Sequence, residues 1–380
     1  MDTQRAMQRP VGWLLARWSF LAGMAALFVV QLVVFPVAAQ FRFDHEGVAR
    51  QAVERHIRPG YRRMAGAMSG LAEAMQILCK NPSQVRLAKV DMAFQIAVDA
   101  WGRVEHVRFG PIAEANRYER TAFWPDPKGI GRKQVGRVLR RRDDSIVREA
   151  TLAKKSVALQ GLTALEIVLA GKGRASLLDR SEQGGFRCRY GLAIADNLAT
   201  IASQVAADWD AEKEFSKLFL MPGDNNPIYF SPKEVTQELI KSFTGGLRVV
   251  RDFKIAGPLG FMRGKRGREI RPPFKTSGLT LAIIEANVAG LLDLFNKSGM
   301  VAQLDRFKPR FGTHLKEGLE QVLGTLRSTP QDARHNSADP RVKRRLILTG
   351  FPLKNAWING GRALARAAGI TLGFNAADGD

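Results

Sequence analysis

Apolar residues recur every three or four positions along most of the chain beyond residue 45, with polar residues between them. That spacing marks helices with one buried face. It predicts helices over residues 66–79 (GAMSGLAEAMQILC), 84–101 (QVRLAKVDMAFQIAVDAW), 132–142, 157–170, 190–208, 232–252, 277–295, 315–326 and 341–368, the last interrupted by Pro352. Alternating runs closed by tight hairpin turns are scarce. The pattern therefore predicts an all-α fold, two helical-bundle halves packed together and preceded by an N-terminal signal segment. The halves are read as residues 40–220 and 228–380. Between them stands Met221-Pro222-Gly223-Asp224-Asn225-Asn226-Pro227, which either divides two bundles or forms one long surface loop.

The first forty residues follow a different rule. Arg5, Arg9 and Arg17 form a basic leader, and no charge then occurs from Trp18 to Phe41. Pro36 and the small residues Val37-Ala38-Ala39 close the run as signal-peptidase cleavage requires. Residues 1–39 are read as a cleaved export signal. The alternative is an uncleaved anchor that tethers the protein to the inner membrane through residues 18–39. Both readings place the remainder of the chain in the periplasm.

Composition adds a constraint and a question. The chain has 380 residues, of which 45% are hydrophobic, enough for a core. Its 58 Lys and Arg against 36 Asp and Glu give a net charge of +22. Loss of residues 1–39 removes three Arg and one Asp, which leaves +20. Basic clusters occupy residues 131–142, 263–275 and 341–345. No nucleic-acid-binding signature accompanies them, no aromatics interleave them for base stacking, and export takes the chain away from nucleic acid. Their simplest reading is solvated helix faces. Their specific partner would be an anionic membrane surface or envelope polysaccharide. The two cysteines, Cys79 and Cys188, are a candidate disulfide in an oxidising compartment, or else two small buried thiols.

The segment 157–170 carries the sharpest chemistry. Gln160, Thr163 and Glu166 are spaced by three within an otherwise apolar helix, so they predict one polar stripe. A buried carboxylate there must be paired, hydrogen-bonded or protonated. Gly161 costs about 1 kcal/mol in a helix and so predicts close approach of another backbone or a ligand. Either the stripe satisfies partners between helices or it lines a cleft. Glu105 and Arg108 sit at i and i+3. They predict a helix ion pair, or else Arg108 reaches Glu166. Of the five histidines, His45, His106, His314 and His335 are not assigned as ligands. His106 is expected to point away from the Glu105–Arg108 pair. No Gly-x-Ser-x-Gly elbow, Cys–His pair or phosphate loop is present.

The run GLTALEIVLAG from Gly161 resembles the helix that carries Gly-x-His-x-x-Glu in the imelysin-like family. The run VEHVRFGPIAEANRYERTAFWPDPKGIG resembles that family's Arg-Phe-Gly-Pro segment. Phe186-Arg187-Cys188-Arg189-Tyr190 and the C-terminal ITLGFNAADGD fit as well. Thr163 stands where the family motif has His. The resemblance implies an all-helical fold of two bundles with the functional site between them. It implies a cell-envelope protein, with envelope components of iron or metal uptake as partners and an iron or other divalent metal as the cofactor it raises. Gln160, Gly161, Thr163, Glu166, Arg108 and Glu105 are the candidate ligand-binding residues. Glu166 and His56 are the candidate metal ligands, His56 because its segment approaches the family's site. The expected function is a non-catalytic, exported binding protein. The alternatives are a metal-dependent peptidase with a degenerate motif and a membrane-surface or polyanion binder.

Overall fold

The computed structural model describes residues 41–147, 149–261 and 270–371. The predicted export signal, most of the second basic cluster and most of the C-terminal run lie outside them. The described residues are helical and contain no strand.

The N-terminal half holds α1 (His45–Ala52), α2 (Arg58–Lys80), α3 (Gln84–Val104), α4 (Arg117–Thr121), α5 (Ile130–Arg141), α6 (Glu149–Leu152), α7 (Gly161–Ala170), α8 (Glu182–Asp208) and α9 (Glu214–Leu220). The C-terminal half holds α10 (Pro232–Arg248), α11 (Thr280–Lys297), α12 (Met300–Phe307), α13 (Phe311–Arg327), α14 (Gln331–Arg334), α15 (Pro340–Asn355) and α16 (Gly361–Ala367). Side-chain caps start several of them. Asp44 Oδ1 accepts the Gly47 N–H at 2.8 Å, and Asp339 Oδ1 accepts that of Arg341 at 2.8 Å.

Apolar stripes then dictate the packing. On α2, Tyr61, Met64, Met68, Leu71, Met75 and Leu78 are all buried, and α2 packs on α3 and α8. Cys79 and Cys188 form a disulfide that joins the end of α2 to α8 across 109 residues. The bundles meet where α3 crosses α11, while α1 reaches across to α10. Gly290 permits that crossing, because a methyl there would lie 2.2 Å from the Arg103 carbonyl oxygen. From Phe41 onward the chain is one compact unit.

Three helices widen into π-turns, at Val53–Ile57, Val249–Ala256 and Ala356–Gly360. Such turns are frequent at functional sites. The first two bring His56 and Lys254 into the interior.

Two expectations about helices need correction. The helix expected over 157–170 begins only at Gly161. Gln160 is extended, with φ −131° and ψ 173°, and Gly161 has φ +84°. Gln160 therefore does not share a helical stripe with Thr163 and Glu166. Pro352 does not interrupt its helix either, since α15 runs through it to Asn355. The carbonyl Pro352 leaves without a donor is that of Leu348, a residue on the solvent side where water can serve it.

Candidate functional site

Two groups of buried polar side chains occupy the region that the sequence singled out. The first forms where the chain leaves α3. Glu105 Oε2 accepts hydrogen bonds from Lys254 Nζ at 2.5 Å and Asn287 Nδ2 at 2.8 Å. Lys254 Nζ also donates to Asn287 Oδ1 at 2.8 Å, which closes a triangle. Lys254 is only 2% exposed, and its Nζ lies 5.4 Å from the centre of the Trp124 ring. Burial pulls the Lys254 pKa down, and the Glu105 carboxylate opposes that pull.

Beside this triangle the Nε2 atoms of His56 and His106 face each other at 3.0 Å. Burial lowers the His56 pKa to about 3, with Lys297 and Arg63 adding to the effect. Burial and His56 hold His106 well below the ordinary histidine value. Both rings are therefore neutral near pH 7, and one Nε2–H donates to the other Nε2. His106 Nδ1 is buried without a hydrogen-bond partner. A small, partly open recess lies here, lined by residues that include Glu105, His106, Arg108 and Asn287. Arg108 lies 4.7 Å above the Tyr118 ring of α4.

The second group surrounds Glu166 on α7. Its Oε1 accepts the Ser277 N–H at 2.8 Å and the Ser277 hydroxyl at 2.9 Å. Burial raises the Glu166 pKa, against the lowering effect of bonds from Ser277 and Thr276 and the charge of Arg132. Thr163, one turn earlier, is half-buried. The segment around Ser277 is fixed from outside α7 as well, since Trp124 Nε1 donates to the Arg271 carbonyl at 3.1 Å.

The structure separates the candidate residues by role. Gln160 has its amide fully used. Its Oε1 accepts from Arg120 at 3.0 Å and Asn197 at 2.9 Å, and its Nε2 donates to the carbonyls of Leu152 and Lys155. Gly161 makes the close approach its sequence position predicts, because a methyl there would lie 2.5 Å from the Arg120 carbonyl oxygen. Both residues set the start of α7. Glu105 and Arg108 line the recess, whereas Gln160, Gly161, Thr163 and Glu166 do not. Glu105 takes Lys254 as its ion partner in place of the expected Arg108. The alternative reach of Arg108 to Glu166 is not made either, because Ser277 holds that carboxylate. His56 and Glu166 belong to different groups.

Sequence reasoning misses Lys254, Asn287 and Ser277, and it sets His106 apart from Glu105 and Arg108, whereas all three line the recess. Asn287 left a signal, as a lone amide in an otherwise apolar run (IIEANVAGLL). Lys254 and Ser277 left none.

Among the described residues, no group of three or more His, Cys, Asp or Glu side chains is placed to hold a metal ion. The two histidine nitrogens already satisfy each other, and Glu166 is satisfied by neutral donors. These donors do not fit a resident metal, which in a hydrolase would need three protein ligands and an open position.

The fold has solved relatives. An imelysin-like protein from Psychrobacter arcticum 273-4 superposes with a TM-score of 0.69 at 21% identity, covering 88% of this chain and 99% of its own. A protein named as a candidate iron-regulated protein A precursor, from Parabacteroides distasonis ATCC 8503, gives 0.67 at 13% identity, covering 86% and 94%. No curated protein matches the chain. The imelysin (peptidase M75) family model matches residues 57–347, well over half the sequence, and the chain belongs to the imelysin family.

Proposed function

We propose that the protein is an exported helical binding protein of the bacterial cell envelope, associated with iron or other metal uptake and without catalytic activity. One observation carries this reading. Charged and polar groups from separate parts of the chain converge on a recess, yet the described residues supply no ligand set for a bare metal. Arg108 and Glu105 are assigned to meet the ligand at the recess, with Thr163 and Glu166 as the neighbouring polar niche. Helix α4 connects the two, with Tyr118 beneath Arg108 and the Arg120 carbonyl against Gly161. The ligand is then a polar species linked to metal acquisition that arrives with its own metal-binding groups. Membership of the family and a structural neighbour named for iron regulation support this reading.

Native mass spectrometry and elemental analysis of the protein, purified from iron-limited and from iron-replete cells, test it. The expected result is a chain that starts at Gln40 and keeps a small-molecule adduct in one of the two states. Metal-dependent peptide cleavage by a chain that carries stoichiometric metal would establish the peptidase reading instead.

A further inference from the structure

The third basic cluster falls on α15, whose two faces differ sharply. Val342, Leu346, Thr349 and Leu353 are buried and hold the helix against its neighbours. On the opposite side Ile347, Leu348 and Phe351 are 52%, 60% and 81% exposed. Their i+3 and i+4 spacing makes them one contiguous patch. Lys343 and Arg344 stand one turn before it and Lys354 one turn after, all exposed. None of these three cations makes an ion pair among the described residues, in contrast to Arg341, which pairs with Asp332 and Asp339. No acidic residue occurs from 340 to 377, a stretch that holds seven Lys and Arg.

Two other exposed apolar patches lack this combination. Val85, Met92 and Ile96 on α3 are interleaved with Ala88 and Gln95, beside Asp91 and Asp99. Met221, Ile228 and Phe230 flank Asp224. An apolar tip set among unpaired cations, with flexible stems that can reach back to headgroups, is the chemistry of a helix lying in a bilayer interface. The geometry points to α15 as a docking face for an anionic lipid bilayer. Ile347, Leu348 and Phe351 enter the acyl boundary while Lys343, Arg344 and Lys354 meet the headgroups. This contact is independent of the ligand recess.

The test uses the full chain with Leu348→Cys carrying an environment-sensitive dye, the Cys79–Cys188 disulfide leaving a single reactive thiol. A second sample carries the dye at Val85→Cys. With phosphatidylglycerol vesicles, the dye at position 348 shifts to the blue and is quenched by brominated lipid, and the dye at 85 does neither. Combining Lys343→Gln with Arg344→Gln weakens the response about twenty-fivefold, at about fivefold per charge. Phe351→Ser weakens it by roughly tenfold. An unchanged dye at 348, equal responses at both positions, or indifference to the two charge substitutions overturns the assignment. A blue shift without vesicles that rises with protein concentration and doubled mass would assign the face to a second copy of the chain and overturn it equally.

Discussion

Glu105 and Glu166 are both buried carboxylates, and they are stabilised in opposite ways. Glu105 faces a buried ammonium and an amide, contributed by segments 149 and 182 residues further along the chain. Glu166 is held by neutral donors, the Ser277 N–H and hydroxyl together with the Thr276 backbone. The first carboxylate is charge-compensated and ties the two halves of the molecule together. The second makes no ion pair among the described residues, and burial lifts its pKa against the weaker pull of its hydrogen bonds and of the Arg132 charge. Burial of a charge without a counter-charge is costly, so the two sites respond differently to substitution and to pH.

The largest expected effect breaks the first site. Lys254→Met leaves Glu105 buried without its cation and lowers stability by about 4 kcal/mol in chemical denaturation. Adding Glu105→Gln recovers part of that loss. If the single substitution leaves the denaturation midpoint unchanged, the pair does not join the halves.

Next comes the acid side of the pH profile. His56 and His106 have lowered pKa values in the folded state, so unfolding takes up protons. Stability is therefore full above the ordinary histidine range and falls as pH drops through it toward about 3 for His56. Denaturation midpoints measured across that range should show this slope, and His56→Asn should flatten it.

Glu166 has the opposite sign. Its raised folded pKa contributes stability below the usual carboxylate range that is lost as pH climbs through the raised value. Between these in size, Gly161→Ala forces a methyl against the Arg120 carbonyl at a φ of +84° and should cost about 2 kcal/mol in thermal denaturation. Glu166→Gln keeps an acceptor for the Ser277 hydroxyl. It should change stability at neutral pH by less than about 1 kcal/mol while removing the Glu166 contribution to the pH profile. A loss as large as that of Lys254→Met would erase the distinction between the two carboxylates.

The sequence exposes these features unevenly, for a physical reason. The Met64, Met68, Leu71 and Met75 stripe announces α2 because its contacts repeat at helical spacing. Gly161 is legible because its close approach is a local backbone matter, and Cys79 with Cys188 because two cysteines have one intramolecular pairing. Lys254 is not legible. Nothing adjacent in sequence distinguishes it from the solvated basic residues around it, and its burial exists only once α3 and α11 are in place. The His56–His106 contact fails for the same reason, across 50 residues and a π-turn that shifts the helical phase. The motif residue Glu166 meets Ser277 in a polar group apart from the recess, and the stripe is broken where Gly161 turns the backbone.

The central claim is that the recess beside Glu105 and Arg108 binds a ligand that the protein does not hold through a resident metal. Arg108→Ala tests it most directly, since Arg108 is exposed and stands outside the Glu105–Lys254 pair. Native mass spectrometry of the wild-type and Arg108→Ala chains from the same cells should show the adduct on the first and its loss from the second, with equal melting temperatures. An adduct that survives Arg108→Ala unchanged, or a stoichiometric metal retained by both chains, would contradict the account.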